Sequence, residues 1–152
     1  VMAYGMTNEV KWGGLASFDF TKFERVLVDD LVPYIDSHFK TIAKKDMRAM
    51  AGLSMGGMET KHITLARPEV FGYYGILSGG MYAPEDIGDP DKVKLIFLSC
   101  GSKEYPDAIL DATEALKAAG YNAVSYISEG TAHEFQTWRR SLKEMAPLLF
   151  RK

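Results

Sequence analysis

Gly52-Leu53-Ser54-Met55-Gly56 has the form G-x-S-x-G, a small hydroxyl residue set between two glycines. A serine hydroxyl is too weakly acidic to attack a carbonyl unaided, so it needs a base such as imidazole within hydrogen-bond reach. The chain has three histidines. His38 falls near the end of a long helical pattern, and His62 lies about two helical turns beyond Ser54; both read as surface or packing residues. His133, in Gly130-Thr131-Ala132-His133-Glu134-Phe135, follows the last apolar strand pattern and is the candidate base. A carboxylate must then hold the imidazole in its working tautomer. Gly101-Ser102-Lys103-Glu104-Tyr105-Pro106-Asp107 offers two. Glu104, three residues past the glycine that ends a strand pattern, is the preferred acid. Asp107 is the alternative acid, and it also suits a helix N-cap. Together these residues would perform acyl transfer through a covalent serine intermediate, with no metal or organic cofactor.

The elements around these residues are those that such chemistry needs. A nucleophile of this kind sits on a sharp strand-to-helix turn, where flanking glycines avoid a clash as the chain reverses. The helix N-terminus there also favours developing negative charge. Apolar runs at Val1–Tyr4, Met47–Leu53, Phe71–Leu77, Val93–Cys100 and Ala123–Ile127 read as five strands. Helical patterns run from Asp19 to Phe39, from Ser54 to about Ala66, over Asp107–Ala119 and over Gln136–Leu149. Pro33 should kink or split the first, Pro68 stops the second, and Gly120 caps the third. Gly5–Ser17 and Met81–Lys92 read as loops, the latter either shaping an acyl pocket or forming a solvated turn. Strands alternating with helices predict a mostly parallel α/β sheet of about five strands, with helices on both faces. Residues 1–152 read as one domain.

Composition excludes several classes. At 47% hydrophobic and 25% charged residues the chain is neither disordered nor low in complexity, and no run is long enough to span a membrane. A formal charge of −2 with interspersed signs makes no case for nucleic acid or an anionic membrane. The single cysteine, Cys100, excludes an intrachain disulfide and a multi-cysteine zinc site, and it reads as a buried small residue. Phosphate-binding motifs of the G-x-G-x-x-G and G-x-x-x-x-G-K-[ST] kinds are absent, which argues against a nucleotide module.

Gly52-Leu53-Ser54-Met55-Gly56-Gly57, Leu77-Ser78-Gly79-Gly80 and Thr131-Ala132-His133-Glu134-Phe135 with Trp138 resemble the esterase D-type α/β-hydrolases. The resemblance is closest to carbohydrate esterase family one, the feruloyl and acetyl-xylan esterases of bacteria that degrade plant cell walls. It implies Ser54 as nucleophile, His133 as base, Glu104 where the family usually has aspartate, and the Met55 backbone N–H as an oxyanion donor. It implies feruloyl or acetyl esters of polysaccharide as substrates, and a secreted or periplasmic setting, although Val1–Gly5 shows no leader pattern. Trp12, Tyr82 and Trp138 are candidate contacts for a feruloyl ring or sugar face. Members of the family begin with further strands, one bearing a second oxyanion donor; their lack here predicts an exposed sheet edge and a tendency to form homodimers. Acyl transfer and peptide hydrolysis would use the same residues. A truncated, weakly active remnant serving as a binding or dimerising module is the alternative from another class.

Overall fold

The computed structural model describes residues 1–3, 5 and 19–151, so Trp12 and most of the Gly5–Ser17 loop lie outside the described residues. Two compact units divide the chain, Val1–Ala43 and Lys44–Lys152.

The first unit holds one continuous helical stretch. α1 (Thr21–Arg25) passes into a π-helical segment, Val26–Leu31, and then into α2 (Val32–His38). Pro33 therefore neither ends the helix nor separates it into independent pieces. Proline offers no N–H to the preceding turn. The ladder widens just before it, and the Val32 N–H reaches back five residues to the Leu27 carbonyl. Of the strand expected at Val1–Tyr4, Val1–Ala3 are exposed and pair with no strand among the described residues, and Tyr4 lies outside the described residues.

The second unit carries the sheet. β1 (Ala49–Leu53), β2 (Tyr73–Leu77), β3 (Leu95–Gly101) and β4 (Ala123–Ser128) pair in that order, every pair parallel. The sheet thus has four strands among the described residues, one fewer than the sequence suggests. β2 and β3 are buried throughout, as apolar runs in the middle of a parallel sheet must be. α3 (Met55–Ala66) follows β1, α4 (Pro106–Ala118) follows β3, and α5 (Phe135–Met145) follows β4. Neighbouring residues of β2 show how the helices are layered. Gly75 lies against the Met145 side chain of α5, while Ile76 lies against Gly57 of α3. Adjacent strand residues face opposite ways, so α3 and α5 cover opposite faces. Pro147 ends the chain's last helix in a short turn, Ala146–Leu148, and Phe150 closes over the sheet edge-on to Tyr73. Among the described residues, no helix is long and apolar enough to cross a membrane.

Residues 81–92 are anchored rather than loosely solvated. Two short turns, Pro84–Asp86 and Pro90–Lys92, shape the segment. Lys61 of α3 bonds the Met81 carbonyl at 3.0 Å and pairs with Asp86 at 2.7 Å. Tyr121 donates to the Ile87 and Gly88 carbonyls.

One buried charge works against this unit. Glu59 of α3 is 4% exposed, and its Oε1 has no hydrogen-bond partner. Burial pushes its carboxyl up to about 7. A folded-state value above the unfolded one favours the neutral acid, so this group's contribution to stability is fully present below 4.5 and is lost as pH rises through about 7. Glu59→Gln should therefore raise thermal stability at pH 8, by an amount of order 1–3 kcal/mol, and change it little at pH 5. Melting curves of the two proteins at both pH values check this.

Candidate active site

The chain reverses at Ser54 between β1 and α3. Ser54 has φ 52° and ψ −119°, a left-handed conformation that a non-glycine residue adopts only under strain. Its N–H donates to the Leu77 carbonyl at 2.9 Å, which locks the turn to the end of β2. Three glycines around it, Gly52, Gly57 and Gly79, are required by contact, while Gly56 has open space where a Cβ would stand. A Cβ on Gly52 would lie 1.9 Å from the Gly56 carbonyl oxygen. Gly57 and Gly79 face each other so closely that a Cβ on either would lie within 2.8 Å of the other's Cα. Ser54 is also the N-cap residue of α3, but its hydroxyl makes no capping bond. The hydroxyl turns instead to His133.

Ser54 Oγ lies 2.8 Å from His133 Nε2, and His133 Nδ1 lies 2.8 Å from Glu104 Oε1. Each of the three comes from the carboxyl end of a different strand. Glu104 is gripped at its other oxygen as well. Oε2 accepts the Gly101 N–H at 2.6 Å and the Ser78 hydroxyl at 2.8 Å. Its side chain is only 6% exposed, against 49% for His133. Burial pushes the Glu104 carboxyl up, but the Gly101 N–H, the His133 ring and the Ser78 hydroxyl outweigh it and hold the group below the ordinary carboxylate value. Glu104 is thus an anion at neutral pH. It is placed to accept from Nδ1 and leave Nε2 free to take a proton from Ser54.

The loop carrying His133 is fixed from below. Thr131 donates to the Ser128 carbonyl at 2.8 Å, and the Thr137 hydroxyl lies 2.7 Å from Thr131 Oγ1 and 2.5 Å from the Ala132 carbonyl. The Lys103 N–H donates to the Thr131 carbonyl at 3.0 Å. This loop crosses the end of β3 so tightly that a Cβ on Gly101 would lie 2.4 Å from the Thr131 oxygen.

Other expected residues fall elsewhere. Asp107 lies in the exposed first turn of α4, after Pro106; the N-cap is Tyr105, and the acid bonded to His133 is Glu104. Tyr82 is fully buried, its hydroxyl 2.6 Å from Thr64 Oγ1 and its ring against Tyr74, so its face is closed to a substrate. Trp138 stands edge-on to the His133 ring with centroids 5.1 Å apart, and its buried indole N–H has no partner. Met55, the first residue of α3, has no intrahelical acceptor for its N–H. Cys100 is buried, and burial pushes its thiol up, away from nucleophilic use. Among the described residues, no group of acidic, histidine or cysteine side chains could hold a metal ion. Ser78 is the participant that motif reading left without a role.

Residues 16–149 match the model of the Esterase family. The chain belongs to that family. It is 61% identical over 151 residues to an endo-1,4-beta-xylanase/feruloyl esterase of Xylanibacter ruminicola, covering 99% of this chain and 21% of that protein. The chain therefore spans about a fifth of the length of that curated relative. Among solved structures, the fold is shared with a ferulic acid esterase of Anaeromyces mucronatus, at TM-score 0.69 and 15% identity, over 86% of this chain and 55% of the other. It is shared likewise with the enterochelin esterase of Shigella flexneri, at TM-score 0.64 and 21% identity, over 84% of this chain and 37% of the other. These likenesses make the four strands an α/β-hydrolase sheet.

The strain at Ser54 gives a direct test of the turn. Ser54→Gly should melt higher than Ser54→Ala, because glycine takes positive φ without cost while alanine keeps strain of about 1–3 kcal/mol. Equal melting temperatures for the two variants would show that the turn is not strained.

Proposed function

We propose that this chain is a serine carboxylic-ester hydrolase that works through an acyl-enzyme on Ser54, with feruloyl or acetyl esters of plant cell-wall polysaccharide as its substrate class. The observation that carries the chemistry is the unbroken chain of hydrogen bonds Ser54–His133–Glu104 at 2.8 Å each, set on a strained strand-to-helix turn. The substrate class is supported by the xylanase/feruloyl esterase to which the chain is 61% identical.

In this reading His133 Nε2 takes the hydroxyl proton as Ser54 Oγ bonds to the ester carbonyl carbon. The carbonyl oxygen becomes an oxyanion, and the Met55 N–H at the start of α3 is placed to donate to it. Collapse breaks the bond to the alcohol oxygen, which leaves with the proton from Nε2. Water then gives a proton to Nε2, attacks the acyl carbon, and restores Ser54 as the acid departs. Through both halves Glu104 stays ionised and stabilises the imidazolium. Of the aromatic candidates, Trp138 is the one beside the base, where an aryl or sugar face of the substrate would pass.

Hydrolysis of methyl ferulate and 4-nitrophenyl acetate by the chain and by Ser54→Ala tests this. Turnover present in the wild type and lost in the variant is expected, with the ferulate preferred. Background rates in both would sink the claim that this chain is itself an active enzyme.

A further inference from the structure

Ser78 lies at the end of β2 with φ 51°, in the left-handed region that glycine occupies without strain. Gly79 and Gly80 follow it, so small residues fit this turn, and yet the first position carries a hydroxyl. That hydroxyl donates to Glu104 Oε2 at 2.8 Å, and the Ser78 N–H is held by the Ser99 carbonyl at 2.7 Å. We propose that Ser78 is a positioning residue, whose hydroxyl fixes the Oε2 end of Glu104 and so presents Oε1 to His133. The proposal rests on reading Ser54–His133–Glu104 as the working relay.

The geometry explains why such a tether is needed. Glutamate has one more rotatable bond than the aspartate that the same role could use, so a single anchor leaves its carboxylate plane free to turn. The Gly101 N–H, at 2.6 Å, is one anchor, supplied by the end of β3. Ser78 is the second, supplied by the neighbouring strand. Two donors from different strands define the direction of Oε2, and with it the direction of Oε1. The same two loops are joined again where the Gly80 N–H reaches the Tyr105 hydroxyl at 3.4 Å. The Ser78 side chain is buried, which keeps water from replacing it readily.

The test compares the wild type with Ser78→Gly, which suits φ 51°, and with Ser78→Ala as a second variant lacking the hydroxyl. One readout is the pH profile of kcat and kcat/KM with 4-nitrophenyl acetate. The other, which needs no activity, is the carboxyl carbon-13 titration of Glu104 by NMR, assigned through Glu104→Gln. In the folded variants kcat should fall about 10- to 100-fold with KM little changed, as for loss of one hydrogen bond to a charged group. The Glu104 midpoint should rise. The acid limb of kcat/KM should move to higher pH, because a carboxylate short of one donor holds the imidazolium proton more tightly. His133, Cys100 and Tyr105 are the titratable groups beside this carboxylate. A wild-type kcat, acid limb and Glu104 midpoint in a folded variant would overturn the proposal. If the wild type itself hydrolyses no ester, the relay reading falls, and the Glu104 midpoint alone decides whether Ser78 governs this carboxylate.

Discussion

The backbone reversal at Ser54 is the constraint on which the rest of the site depends. A left-handed serine can persist only where its surroundings hold it. Here the hold comes from the Leu77 carbonyl on its N–H and from the face-to-face contact of Gly57 with Gly79. That contact brings α3 close to the end of β2, so the loop after β2 lies beside Ser54. The N-terminus of α3, with its unpaired N–H groups, then points at the place where negative charge would develop. Strain at one residue thus sets the positions of a helix, a loop and an electrostatic feature.

The electrostatics follow a gradient from buried to open. Glu104, nearly out of solvent, keeps its charge because three donors surround it. His133, half exposed, stands open to solvent at the other end of the pair. Glu59 shows the opposite outcome within the same unit. It is more deeply buried than Glu104 and its Oε1 has no partner among the described residues, so burial alone governs it and pushes its carboxyl up. Donors at Glu104 offset its burial, and nothing offsets the burial of Glu59.

What could be read from the sequence was what a short stretch of residues determines. G-x-S-x-G names the turn because its first glycine, Gly52, is forced by contact with backbone only four or five residues on, and His133 and Glu104 follow from strand ends. Glu104 could be preferred over Asp107 because a three-residue return from Gly101 places it at the strand end, while Pro106 commits Asp107 to the helix. What could not be read depends on distant partners. Tyr82 looked like a substrate platform, but its hydroxyl is taken by Thr64. The π segment before Pro33 reflects a change of hydrogen-bond register that apolar periodicity does not record. Val1–Tyr4 is apolar enough for a strand, yet a strand exists only where a neighbour supplies its ladder. Ser78 had a visible signal, a serine heading a Ser-Gly-Gly turn after a strand, but its role depends on a φ value and a bond to a residue 26 positions on.

The order of the strands explains how residues so far apart in the chain come together. Ser54, Ser78, Glu104 and His133 follow β1, β2, β3 and β4, and the sheet places those strands in the same order. Ser54 and His133 are therefore separated by three strand spacings, about 14 Å between strand axes. The loop after β4 turns at Glu129–Gly130, where Gly130 has φ 75°, and then crosses the end of β3. Gly101 is the residue it crosses, and the absence of a side chain there lets the Thr131 carbonyl pass. Beneath that crossing, Ser78 and Glu104 leave adjacent strands and meet side by side. Glu104 thus lies between Ser54 and His133 in strand order, 2.8 Å from the His133 ring that spans the distance to Ser54.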